Sequence, residues 1–164
     1  MAVAQRLLMV CLGNICRSPM AEGALRARLR AAGLAAAVEV DSAGLGDWHA
    51  GTPPDPRAIA CAARHGVDIG GQRARSLRET DHHDFDLLLC ADTRVLHAVR
   101  GSAPENARAR SALLLAWSGT GGDGDEVPDP YTGTTADFEH AWSLVDAAAA
   151  AIVAMRLQRR PGDA

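Results

Sequence analysis

The stretch Arg6-Leu7-Leu8-Met9-Val10-Cys11-Leu12-Gly13-Asn14-Ile15-Cys16-Arg17-Ser18-Pro19 decides the fold. From Leu7 to Leu12 it is a short, continuous apolar run, the pattern of a strand buried on both faces. A turn-rich segment, Gly13 to Arg17, follows at once. Ser18 then reads as a helix N-cap, with Pro19 at the first helical position and Glu22 in the first turn. Ala21, Leu25, Leu29 and Ala32 share one helical face, and Gly33 reads as the stop. Strand, tight loop and helix N-terminus are the opening unit of a parallel α/β sheet. The same unit makes an anion cradle, because backbone N–H groups converge there under the positive end of the helix dipole.

Outward from this unit the pattern repeats. Val38 to Ser42 alternates as a second strand, and a Gly/Pro-rich loop covers Gly44 to Pro54. Pro56 to His65 reads as a helix that stops at Gly66, and residues 67–84 read as irregular. Asp86 to Ala91 is a third buried strand, followed by a short helix over Thr93–Val99, and Ser111 to Leu115 is a fourth strand. Residues 118–133 form a long loop of the kind that is usually functional. The last helix is expected over Thr135–Arg159, with Phe138, Trp142, Val145, Ala149, Ile152 and Met155 as its apolar stripe and a frayed tail from Arg160. Alternating strands and helices give one domain over residues 1–164. Its expected fold is a three-layer α/β/α sandwich, a four-stranded, mainly parallel twisted sheet with helices on both faces.

Composition narrows the function. The 164 residues are 48% hydrophobic and 23% charged, with a net charge of −3, which suits a globular chain and gives no basic field for nucleic acid. All 17 basic side chains are Arg, so lysine chemistry is excluded. Four cysteines, at 11, 16, 61 and 90, are too few for a disulfide scaffold, and no C-x-x-C or paired Cys/His cluster points to zinc. No signal peptide and no membrane span are read, so reduced thiols and a cytoplasmic location are expected.

The loop between strand and helix carries the chemistry. It lacks the spacing and the lysine of nucleotide-binding P-loops. A cysteine opens it and an arginine closes it. A thiol at a helix N-terminus favours the thiolate, and the guanidinium of Arg17 matches two phosphate oxygens. A thiolate beneath a bound phosphate is placed for in-line attack.

The segment Val10 to Pro19 resembles the signature loop of the low-molecular-weight protein tyrosine phosphatases, and Asp129-Pro130-Tyr131 resembles that family's general-acid loop. Asp41-Ser42-Ala43-Gly44 and Trp48-His49 also fit its pattern, so the resemblance spans nearly the whole chain. It implies hydrolysis of phosphotyrosine, and of small aryl phosphates, through a phosphocysteine on Cys11. Arg17 and the amides of Leu12, Gly13, Asn14, Ile15 and Cys16 would hold the phosphate. Asp129 would serve as acid and then base, and Ser18 would hydrogen-bond the Cys11 sulfur. Asn14 and Ser42 would fix the loop, Asp92 would brace it, and Trp48 and Tyr131 would wall the cleft. No metal and no cofactor are implied. The substrate would be a phosphotyrosine protein, in bacteria often a tyrosine kinase of polysaccharide export, and a monomer is expected. The chain departs from the family at Gln72, where members often carry His, at Arg94 for Asn, and at Thr132 for a second Tyr.

Other readings compete. Cys16 is either a packing residue or a thiol that traps oxidised Cys11 as a disulfide. Cys61 and Cys90 read as core thiols. His49, His82 and His83 read as surface residues, and Asp81-His82-His83-Asp84 as a turn rather than a metal site. A thioredoxin-linked arsenate reductase shares this loop but needs two further neighbouring cysteines after the third strand, where only Cys90 lies. A non-catalytic phosphotyrosine-binding module would be expected to have lost Cys11 or Asp129.

Overall fold

The computed structural model describes residues 3–158. Four strands, β1 (Gln5–Cys11), β2 (Val38–Gly44), β3 (Leu87–Cys90) and β4 (Arg110–Leu113), form one sheet in the order β2-β1-β3-β4. Every pairing is parallel, with Cys11 opposite Gly44 and Val10 opposite Cys90. Strand β1 lies between its two sequence successors, so the connections leave it in opposite directions. The crevice at its C-terminal end is the place where such sheets bind ligands.

Side-chain alternation along β1 builds the three layers. Leu7, Met9 and Cys11 face a core made with α1 (Arg17–Ala31), α2 (Pro56–Arg64), α5 (Leu114–Ser118) and α6 (Thr135–Gln158). Leu8 and Val10 face the other way, onto Val95, Leu96 and Val99 of α4 (Thr93–Gly101). Helices therefore cover both faces, as expected for strands apolar on both sides.

The structure corrects several expectations. Helix α1 begins at Arg17, and Cys16, not Ser18, is its N-cap, without a side-chain bond. The Ser18 hydroxyl is committed elsewhere, to Cys11 and Asn14. Gly33 does follow the helix, with φ +72 in the left-handed region that favours glycine. Strand β4 stops at Leu113. Leu114 and Leu115 turn into α5 and bury in the larger core instead. The 67–84 segment is less irregular than its composition suggests. It contains α3 (Asp81–Asp84) and a bridge from Ser76 to Gly44. His82 is buried there rather than exposed.

Helix α6 has 24 residues and is long and apolar enough to cross a membrane by length and composition, contrary to the expectation that no stretch is. Its apolar positions, Phe138, Trp142, Val145, Ile152 and Val153 among them, are buried in the core shared with α1. Met155, placed on that stripe from sequence, is partly exposed. The expected end of the helix at Arg159 and the frayed tail lie outside the described residues.

Candidate active site

The loop from Leu12 to Cys16 closes over the end of β1. Asn14 has φ 57, the left-handed backbone that its side chain tolerates better than most. Among the described residues, the backbone N–H groups of Gly13, Asn14, Ile15 and Cys16 find no protein acceptor. The first N–H groups of α1 are orphaned in the same place by helix geometry. Such a set of unpaired, converging donors favours an anion.

A buried hydrogen-bond network holds this loop, and its directions follow from its partners. The Arg75 N–H donates to Asn14 Oδ1 at 3.0 Å, which orients the amide. Asn14 Nδ2 then donates to Ser18 Oγ at 2.8 Å and to Ser42 Oγ at 3.0 Å. Ser42 Oγ in turn donates to Glu22 Oε1 at 2.8 Å. Ser18 has its own hydrogen left for the Cys11 sulfur at 3.0 Å; its other acceptor, the Ala43 carbonyl, is at 3.5 Å. Cys11, Asn14, Ser18, Glu22 and Ser42 are all at most 5% exposed, so no member is loosened by water. Burial pushes the Glu22 carboxyl up, against the Ser42 hydrogen bond and the Arg26 charge.

Gly44 lies directly beneath the loop. A Cβ there would stand 2.9 Å from the Leu12 carbonyl and 3.0 Å from the Asn14 nitrogen, so only glycine fits.

Arg17 is anchored from behind. Its Nη1 donates to Asp92 Oδ2 at 2.7 Å and to the Val127 carbonyl at 2.9 Å. Asp92 is itself fixed, accepting from Val95 N as the N-cap of α4. Burial opposes the Arg17 charge, but the Cys11 sulfur and Asp92 outweigh it and hold the guanidinium above its ordinary value. Nη2 points forward and stands 3.6 Å from Asp129 Oδ2.

Asp129 comes from the loop before α6. Its Oδ1 accepts from Tyr131 N at 3.1 Å, a local Asx-type turn, and its side chain is 44% exposed. Arg57 of α2 donates to the Tyr131 carbonyl at 2.8 Å and lies over the Tyr131 ring. Trp48, 67% exposed, stands on the facing loop.

These groups surround one cavity of about 150 Å³. Cys11, Leu12, Gly13, Ile15, Cys16 and Arg17 form its floor and sides, and Trp48, His49, Asp129 and Tyr131 its mouth. Asn14, Ser18, Ser42 and Asp92 lie behind the lining and brace it. A larger groove of about 520 Å³ along β2 and α1 has mixed charge and no nucleophile.

Burial and the nearby Asp55 carboxylate push the Cys16 thiol well up. All four cysteines are free and buried, Cys61 and Cys90 in the core as expected. At the Gln72 departure, Nε2 donates to the Pro19 carbonyl while Oε1 is buried without a partner among the described residues. Sequence reasoning missed Glu22 as a buried end of the network and read His49 as surface. The first carries no local signal, because nothing near Glu22 announces Ser42. The second was signalled by its place beside Trp48.

The profile of the family described as "Low molecular weight phosphotyrosine protein phosphatase" matches residues 6–161. A low molecular weight protein-tyrosine-phosphatase of Streptomyces coelicolor is 42% identical over 151 residues, covering 91% of this chain and 92% of that one. The solved structure of YfkJ from Bacillus subtilis superposes with a TM-score of 0.86 at 33% identity, covering 96% of this chain and 99% of that one. Vibrio vulnificus Wzb in complex with benzylphosphonate superposes with a TM-score of 0.79 at 32% identity, over 92% and 98% of the two chains. The chain belongs to the low molecular weight phosphotyrosine protein phosphatase family.

Proposed function

We propose that the protein hydrolyses phosphotyrosine with Cys11 as nucleophile, Arg17 and the loop amides as the phosphate site, and Asp129 as the acid and base. The observation that carries this reading is the shared cavity. The Cys11 sulfur lies at its floor, Asp129 stands at its mouth, and Arg17 reaches between them.

The steps follow from that placement. The phosphate dianion sits on the unpaired N–H groups of the loop, with Arg17 Nη2 on its oxygens. Donors fixed in advance stabilise the charge that spreads over those oxygens at no reorganisation cost. The Cys11 thiolate forms the S–P bond as the P–O bond to the phenol breaks. Asp129 gives its proton to the departing oxygen, then takes one from water as that water forms the new P–O bond. The S–P bond breaks in this second step, and the Ser18 hydroxyl donates to the departing sulfur. Asn14, Ser42 and Glu22 hold Ser18 and the loop, and Asp92 aims Arg17. Trp48 and Tyr131 form the walls for an aryl group.

The finer parts of the proposal are a phosphotyrosine protein as substrate, in bacteria a tyrosine kinase, and a monomeric, cytoplasmic enzyme of one domain. Four free thiols support a reducing compartment. The arsenate reductase alternative finds no support, because Cys90, the last residue of β3, is fully buried in the core facing α4 and no cysteine follows it in the sequence.

Rapid mixing with p-nitrophenyl phosphate tests the reading. A burst of p-nitrophenol and an acid-trapped phosphate on Cys11 are expected. Cys11→Ser should fall below about 1% of wild-type turnover while still binding phosphate. A variant that keeps its turnover would overturn the assignment.

A further inference from the structure

Outside the cleft, α2 and α6 bring together three side chains that the phosphatase chemistry does not use. Cys61 and His65 stand four positions apart, on and just past the end of α2, and so on one face. Glu139, in the first half of α6, meets them. One donor atom from each, a sulfur, a ring nitrogen and a carboxylate oxygen, lies within 4.8 Å of the others. We propose that Cys61, His65 and Glu139 form a divalent metal site of the zinc class, with three protein ligands and a water in the fourth position.

The donor set favours that class of ion. Sulfur, imidazole and carboxylate together suit borderline-soft zinc rather than magnesium or calcium, which take oxygen alone. The set needs a modest rearrangement to take the ion. Around tetrahedral zinc, with bonds of roughly 2.0–2.3 Å, donor atoms stand about 3.3–3.8 Å apart. His65 Nε2 and Glu139 Oε2 are now joined at 2.6 Å and open slightly to admit the ion, while the whole set closes around it.

The surroundings orient each ligand. Arg64 Nε donates to Glu139 Oε1 at 2.7 Å and leaves Oε2 to face His65. The His65 ring is stacked on Trp142 at 5.2 Å, with an 11° interplanar angle, which fixes its plane. Such outer contacts commonly fix ligand direction in metal sites. The sulfur lies behind the other two. Cys61 is fully buried, whereas His65 and Glu139 are partly exposed and give the ion its entry path. A thiol ligates as the thiolate, so the ion enters by displacing the Cys61 proton to solvent. Binding would clamp α2 to α6 at the end of α2 opposite Arg57.

The test uses the full chain carrying Cys11→Ser and Cys16→Ser, which removes the thiols of the cleft. It is titrated with Co²⁺, and with Zn²⁺ against a chromophoric chelator, while the melting temperature is followed. One ion per chain, a thiolate-to-cobalt charge-transfer band and a raised melting temperature are expected. Adding Cys61→Ser should abolish the band. Adding His65→Gln or Glu139→Gln should weaken zinc binding at least about tenfold, with His140→Gln as an unchanged control. No band, or a band that survives Cys61→Ser, overturns the site. If Cys61→Ser does not fold, the two partly exposed variants decide, and unchanged zinc affinity in both overturns it.

Discussion

The two sides of the cleft are built on opposite plans. On the Cys11 side, sulfur, Ser18, Asn14, Ser42 and Glu22 are sealed in the protein and joined by directed hydrogen bonds that span three elements. On the Asp129 side, the carboxyl is 44% exposed and its local partner is the amide two residues on. Trp48 and Tyr131 beside it are exposed as well. On the proposed reading, the first side holds donors where charge develops, which rigidity serves, and the second exchanges a proton with water and admits a phosphoprotein, which exposure serves. Arg17 belongs to both sides, since Nη1 is anchored in the buried network around Asp92 and Nη2 faces Asp129.

Arg17 is therefore where the comparison breaks most visibly. In Arg17→Lys, a single ammonium cannot serve Asp92, the Val127 carbonyl and a phosphate at once. A loss of ~10²–10³-fold in kcat/KM is expected, the usual cost of removing fixed donors from a developing oxyanion. Near-normal kinetics would show that the loop amides alone hold the phosphate.

Gly44→Ala sharpens the contrast from beneath the loop. The new methyl would meet Leu12 and Asn14 backbone atoms that cannot rotate away. Overpacking of this kind costs about 1–3 kcal/mol, which should appear as a lower melting temperature together with reduced turnover. An unchanged melting temperature would mean that the loop is softer than its hydrogen bonds imply.

Glu22→Gln has the smallest effect and reads the far end of the network. Burial holds the Glu22 carboxyl above its unfolded value. Its protonated form therefore favours folding. That contribution is complete below the unfolded value and is lost as pH rises through the folded one. Wild type should lose stability relative to Glu22→Gln across that window, which denaturant titrations at a series of pH values would record. Parallel profiles would mean that Arg26 and Ser42 offset the burial.

How much of this was legible in sequence depends on how local the signal was. The strands and the first helix were legible because apolar runs and a Pro near a helix start are local patterns. Cys11 and Arg17 were read from a thiol and a guanidinium bracketing the loop before a helix N-terminus, and Asp129 from the resemblance of Asp129-Pro130-Tyr131 to a family motif; the three line one cavity. The helix cap was misassigned because Ser18 has a generic capping preference, while its hydroxyl is claimed by Cys11 and Asn14, contacts that no local window contains. Leu114 and Leu115 read as strand because an apolar run fits strand and buried helix equally well. His82 read as surface because two adjacent histidines look solvated, whereas its carbonyl receives the Arg108 and Ala109 amides and its ring packs near Ser102. No paired Cys/His cluster was read, because Cys61 and His65 meet Glu139 only through the fold, 74 residues on from His65.

The division of labour between the two sides is tested most directly by the dependence of rate on leaving-group pKa, measured for wild type and Asp129→Asn over a series of aryl phosphates. A sealed side that holds sulfur and phosphate should leave the variant able to cleave activated esters. An exposed side that supplies the proton should make it fail on poor leaving groups, so the variant's plot steepens. The loss should reach ~10²–10⁴-fold on phenyl phosphate and be much smaller on p-nitrophenyl phosphate. A variant plot no steeper than that of wild type would contradict the account and make Asp129 a turn residue.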